Sequence, residues 1–148
     1  MKHLTYGLVV TILAMGGLGL SAHAQSEMPA PGSVERASFA LAVVEREPSE
    51  PLRDLSNDQR QIYFFSELRD LEGTWVVHRW EWNGRVMAEV PFEINGPRWR
   101  VFSSKQLEPT WLGDWTVSVV TDSGEDLTQE SFSYTESAAP PAAPASAN

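Results

Sequence analysis

The sequence predicts an all-β domain, a two-layer antiparallel β-sandwich of about seven short strands. Three observations predict it. Apolar side chains recur with a period of two, not 3.6, through most of residues 37–136. Turn-forming residues interrupt that pattern at intervals of roughly 10–14 residues. The alternation sets polar against apolar, which suits antiparallel sheets with one wet face rather than a doubly covered parallel sheet.

The elements follow in order. In Phe39–Val43 the large residues take alternate positions, as in a first strand. Residues 45–60 are charged and carry Pro48 and Pro51, so they read as a loop with room for one helical turn. Gln61 to Leu68 holds Ile62, Tyr63, Phe64 and Phe65, which suits a strand buried on both faces. Gly73 to Trp82 is a strand, and Asn83-Gly84 after it is a strong hairpin signal. Arg85 to Ile94 alternates, with Val86, Ala88, Val90, Phe92 and Ile94 expected inward and Met87 outward. Pro91 cannot donate to a ladder, so this strand belongs at an edge. After Asn95-Gly96-Pro97, Arg98 to Ser104 sets Trp99, Val101 and Ser103 against Arg98, Arg100, Phe102 and Ser104. Asp114 to Val120 aligns Trp115, Val117 and Val119, and Gly113 lets the chain approach a neighbour before Trp115 enters the core. Leu127 to Tyr134 closes the domain, and the Tyr134 hydroxyl is expected to tether a loop. Seven strands of this length fit an immunoglobulin-like sandwich. A small barrel is the alternative.

The ends of the chain differ from its middle. Met1-Lys2, an apolar run from Gly7 to Leu20 and the small-x-small Ala22-His23-Ala24 read as a signal peptide over 1–24. The expected location is therefore periplasmic or secreted after cleavage near Ala24, with membrane contact only transient. An uncleaved anchor is the rival reading. Residues 25–36 read as a disordered linker with Pro29, Pro31 and Gly32, and 137–148 as an Ala/Pro-rich disordered tail. The β-sandwich domain should span 37–136.

Composition narrows the chemistry. The 148 residues include 11 Lys and Arg against 20 Asp and Glu, a net charge of -9, and no cysteine. The charge argues against general nucleic-acid binding, which relies on cations displacing counterions. The absence of cysteine removes disulfides, thiolate metal sites and thiol nucleophiles.

The order of motifs has a counterpart in a known family. Tyr63-Phe-Phe65, His78-Arg-Trp80, Arg98-Trp-Arg100, Ser103-Ser-Lys105, Gly113-Asp-Trp115-Thr-Val117, Gly124 and Phe132-Ser-Tyr134 resemble, as an ordered set, the bacterial domain-of-unknown-function 2914 family. Arg46-Glu-Pro48 belongs to the same likeness, which covers about 37–136. The resemblance implies an exported or membrane-tethered bacterial protein. It implies no catalytic residue and no particular ligand.

The residues themselves point to one zone. All six Trp lie within 75–115. Residues 74–105 carry Arg79, Arg85, Arg98, Arg100 and Lys105 against Glu81, Glu89 and Glu93, while the rest of the chain is strongly acidic. Guanidinium forks match carboxylate and phosphate oxygens, and Trp faces match sugar rings. Arg79, Trp80, Arg98, Arg100 and Lys105 are therefore the candidate ligand-binding residues, provided that Arg79 and Arg98/Arg100 share one outer face. The competing reading makes the Trp core residues and the Arg–Glu neighbours ordinary cross-strand pairs. Enzyme chemistry finds little support. His78 is the only histidine after residue 24 and sits on an apolar face, as a hydrogen-bonded core histidine would. A triad of His78 with Ser103 or Ser104 and Asp114 lacks a nucleophile-elbow sequence. We expect no catalytic residue, no metal and no cofactor. The expected function is a non-enzymatic, exported binding or accessory module of the cell envelope. Its partner would be an envelope polysaccharide, a peptidoglycan fragment or a protein. The alternatives are a purely structural accessory domain and, remotely, a hydrolase.

Overall fold

A computed structural model of the chain describes residues 32–138. The expected signal peptide, most of the expected linker and all but the start of the expected tail lie outside the described residues.

Among the described residues there is no helix. Ten strands run in chain order: β1 (Ser33–Ala40), β2 (Val43–Val44), β3 (Glu47–Pro48), β4 (Asp54–Ser56), β5 (Gln61–Arg69), β6 (Trp75–Trp82), β7 (Arg85–Glu93), β8 (Arg98–Gln106), β9 (Gly113–Thr121) and β10 (Asp126–Thr135). Seven are long and three are short. One sheet has the order β1-β5-β8 and the other β4-β10-β9-β6-β7, with β2 and β3 forming a small hairpin of their own. Every pairing is antiparallel except that of β4 with β10. The all-β sandwich is thus the fold. Counting the long strands one to seven, the sheets are 1-2-5 and 7-6-3-4. In the seven-stranded immunoglobulin arrangement the fourth strand joins the first sheet. Here it pairs with the third.

The core lies between the sheets. Phe39, Ile62, Phe64, Leu68, Val76, Trp80, Val101, Trp115, Val117, Val119, Phe132 and Tyr134 all bury their side chains there. Trp80 on the third long strand is wholly buried, edge-on to Phe39 and Phe64. The Tyr134 hydroxyl donates to the Gln59 carbonyl at 2.9 Å, tethering the loop before β5 as expected.

Turn chemistry behaves as the residue types require. Asn83 and Gly84 both have positive φ, 47° and 78°, the conformation of a tight hairpin turn. Gly113 has φ 117°, and a Cβ there would stand 2.7 Å from Asn83 Oδ1. That close approach lets Asn83 accept from the Asp114 amide and join two strand ends.

Three expectations need correction. The first strand starts at Ser33 rather than Phe39 and ends at Ala40, and Leu41 points into solvent. The region 45–60 carries the turn of the β2–β3 hairpin, β3 and β4 rather than a loop with a helical turn. In β7 a bulge opposite Trp80 and Glu81 inserts one extra residue. Alternation slips there, so Val86 is half exposed while Met87 packs on the core.

Candidate functional site

The structure separates the five sequence-predicted residues. Trp80 is core and offers no surface to a ligand, because β6 turns it inward with Val76 and His78. Arg79 lies on the outer face of the five-stranded sheet, where it donates to Glu89 of β7 at 2.8 Å. Arg98 and Arg100 lie on the outer face of the other sheet. The shared face that the sequence reading required therefore does not exist. Lys105 sits near the far end of β8 from Arg98, its ammonium 5.9 Å from the centre of the Trp111 ring. Trp111 packs in turn against Trp82 and Trp115. Lys105 thus caps an aromatic stack.

What Arg98 and Arg100 do meet is Glu67. Its position on β5 follows from the alternation Tyr63, Phe65, Glu67, Arg69 along the outward face of the central strand. Glu67 is directly opposite Arg100 in the β5–β8 ladder, and Arg69 is opposite Arg98. Like charges opposite one another are unfavourable. Here the Glu67 carboxylate lies between them and offsets that repulsion. Arg98 Nε donates to Oε1, Arg69 Nη2 is 3.7 Å from the same oxygen, and Arg100 Nε is 3.4 Å from Oε2. From β1, Arg36 donates to Oε2 through Nη2 at 2.6 Å and Nε at 3.0 Å. Four guanidiniums close over one carboxylate whose own exposure is 0%. The Arg98 hydrogen bond, followed by that of Arg36, holds the Glu67 pKa at about 2 against the opposing effect of burial. The hydrogen bond to Glu67 in turn pushes the Arg98 pKa upward. Arg36 also lies over the buried Phe65 ring at 5.2 Å.

A second layer covers this cluster. The β2–β3 hairpin crosses the outer face, with Glu45 and Arg46 forming its turn in left-handed conformations, φ 51° and 61°. Neither is glycine, so the turn costs order of 1 kcal/mol per residue. Glu47 accepts from Arg36 through both oxygens, at 3.1 and 3.2 Å, and lies 2.8 Å from Arg100 Nη1. Those contacts lower the Glu47 pKa, chiefly through Arg36. Solvent screens each of them.

Arg46 makes no ion pair among the described residues. With Arg98, Trp99 and Arg100 it lines a depression of about 250 Å³. Phe102, two positions beyond Arg100 on the same side of β8, exposes 43% of its surface. In an acidic chain this face gathers five arginines, Arg36, Arg46, Arg69, Arg98 and Arg100, against Glu35, Glu45, Glu47 and Glu67. The sequence reading missed Arg36, Arg46, Glu47 and Glu67 because they stand outside the Trp-rich interval. Their signal was the Arg46-Glu-Pro48 motif and a charged residue in the apolar Ile62–Leu68 run.

His78 occupies a different place. It is buried between the sheets, with Nε2 2.8 Å from Ser66 Oγ and Nδ1 2.9 Å from Ser103 Oγ. Trp80 Nε1 also donates to Ser103 Oγ. Burial holds its pKa near 3, so the ring is neutral at neutral pH. Serines occupy both ring nitrogens, and Asp114 instead accepts from Ser133 at the sandwich end. The network is the hydrogen-bonded core histidine that the apolar face predicted.

Comparison with known proteins adds one finding. Residues 73–134 match the family described as a protein of unknown function (DUF2914). The resemblance read from the motif order therefore holds from β6 through β10. No curated protein matches the chain.

Proposed function

We propose that this domain is a non-enzymatic binding module of the bacterial cell envelope, exported by its N-terminal segment, and that it takes a carboxylated saccharide on the outer face of the three-stranded sheet. The observation that carries the reading is Arg46, which makes no ion pair among the described residues, beside Arg98 and Arg100 over a 250 Å³ depression. Glu67 holds Arg98 and Arg100 in place from below, so little side-chain entropy is lost when they meet an anion. The exposed Phe102 ring supplies an apolar surface next to those charges. Acid groups beside sugar rings fit that pairing of guanidinium and aromatic face.

A purely structural role is the second reading. It is favoured by the fact that Arg36, Arg98 and Arg100 already satisfy Glu67. The test compares binding of the full chain to polygalacturonate and to the same polymer with its carboxyls reduced. The binding reading expects retention on the acidic polymer alone, lost in Arg46→Gln and Arg100→Gln. Equal retention of both polymers, or none of either, overturns it.

A further inference from the structure

Glu47 already does what an external ligand would do. Its carboxylate takes both Nη atoms of Arg36 and one of Arg100 in the two-pronged geometry that guanidinium forks favour. Yet it is brought there by a hairpin only two residues long in each strand. Two ladder pairs, Val43 with Pro48 and Val44 with Glu47, join the arm, and the Ser49 amide to Ala42 carbonyl bond closes its base. Its turn is held in a conformation that side chains disfavour, and Val44 is 66% exposed rather than anchored in an apolar surface. Beneath and beside the arm is a cleft of about 420 Å³ reached by Arg36, Pro48, Pro51 and Phe65. The arm therefore rests on its ion pairs more than on packing.

The arginines beneath it are differently held. Arg36 keeps two hydrogen bonds to Glu67 that do not involve Glu47, and Arg100 keeps its contact to Glu67 Oε2. Removing Glu47 leaves both guanidiniums in place with donors turned outward. Arg46 would remain beside them on the same depression.

We propose that Arg36 and Arg100 form a carboxylate subsite that Glu47 occupies as an internal ligand, and that an external carboxylate binds by displacing the Glu47 side chain while Arg46 stays on the depression beside it. This rests on the binding reading above and specifies its chemistry. Affinity in the native chain is then reduced by competition from its own side chain, as it is whenever the competent state is only partly populated.

The experiment is a titration of the full chain and of Glu47→Gln with trigalacturonate, using neutral galactotriose as the control and calorimetry as the readout. Glu47→Gln keeps the shape of the side chain and removes its charge, and its melting temperature is compared with that of the native chain. The proposal expects trigalacturonate to bind Glu47→Gln about 3- to 10-fold more tightly than the native chain, with no response to galactotriose in either. Arg46→Gln, whose native side chain makes no ion pair among the described residues, should weaken both. Equal or weaker binding by Glu47→Gln, while the native chain binds, overturns the internal-ligand proposal and leaves the binding reading standing. Binding by neither protein overturns the two together.

Discussion

Glu67 stands directly across the β5–β8 ladder from Arg100, and its carboxylate is shut from solvent by that guanidinium together with Arg36, Arg69 and Arg98. A charge buried in this way is tolerable only while its partners remain. Glu67→Gln should therefore destabilise the domain by about 1–3 kcal/mol. It should also loosen Arg98 and Arg100 together. Urea denaturation measures the first effect, and loss of retention on polygalacturonate the second. An unchanged midpoint would mean that the four arginines are held by something other than this carboxylate.

Two groups whose pKa values are held far below their usual range, His78 and Glu67, make acid destabilising, in separate pH windows. Folded His78 has a pKa near 3, against 6.5 for an unburied histidine. Below about pH 6.5 the unfolded chain gains a proton that the folded one refuses. Stability then falls by up to about 1.4 kcal/mol per pH unit. Glu67 adds to the fall only below about pH 4.5, since its folded value is about 2. Between pH 6.5 and 5 the slope should therefore vanish in His78→Leu. That variant should itself be less stable at pH 7, because Ser66 loses its partner on the ring. A slope that persists in His78→Leu would contradict the assignment.

The six Trp differ sharply in exposure. Trp80 and Trp115 are wholly buried, whereas Trp75 exposes 47% of its surface on the outer face of β6. Acrylamide should quench a minor part of the emission, and Trp75→Phe should remove most of that part. Quenching that survives Trp75→Phe at full strength would show that Trp99 on the depression or the Trp82–Trp111–Trp115 stack is open instead.

Gly113→Ala should cost about 1–3 kcal/mol, because φ 117° and the Asn83 contact both exclude a side chain. A thermal melt suffices as the measurement. A melting temperature equal to that of the native chain would contradict the close approach of Asn83 and Asp114.

How far these features were legible in the sequence depends on what encodes them. Period-two alternation marked β6, β8, β9 and β10, since one residue of slip would turn every core side chain outward, while a continuous apolar run marked β5 as a strand buried on both faces. Asn83-Gly84 marked the hairpin and Pro91 the edge strand because each follows from the backbone of one or two residues. The first half of β1 was hidden. Ser33–Ala37 is polar because Glu35 and Arg36 meet Arg69 and Glu67 across the sheet, and a contact 31 or more residues away leaves no local period. The β7 bulge was hidden for a similar reason, being a property of the β6–β7 pair. At the candidate site, Arg98 and Arg100 were visible as a pair on one strand face. Their separation from Arg79 was not, because which sheet a strand joins is decided by topology rather than by spacing. Trp80 was misplaced because aromatic type alone does not distinguish a core ring from a surface platform.

The central claim is that the arginine face around Glu67 takes a carboxylated ligand. Its most direct test is an NMR titration of the guanidinium Nε–H signals with trigalacturonate, with Arg79 on the opposite sheet as an internal control. The account predicts saturable shifts of Arg36, Arg46 and Arg100 while Arg79 stays unmoved. Shifts of Arg79 equal to theirs, or no shift of any arginine, would contradict it.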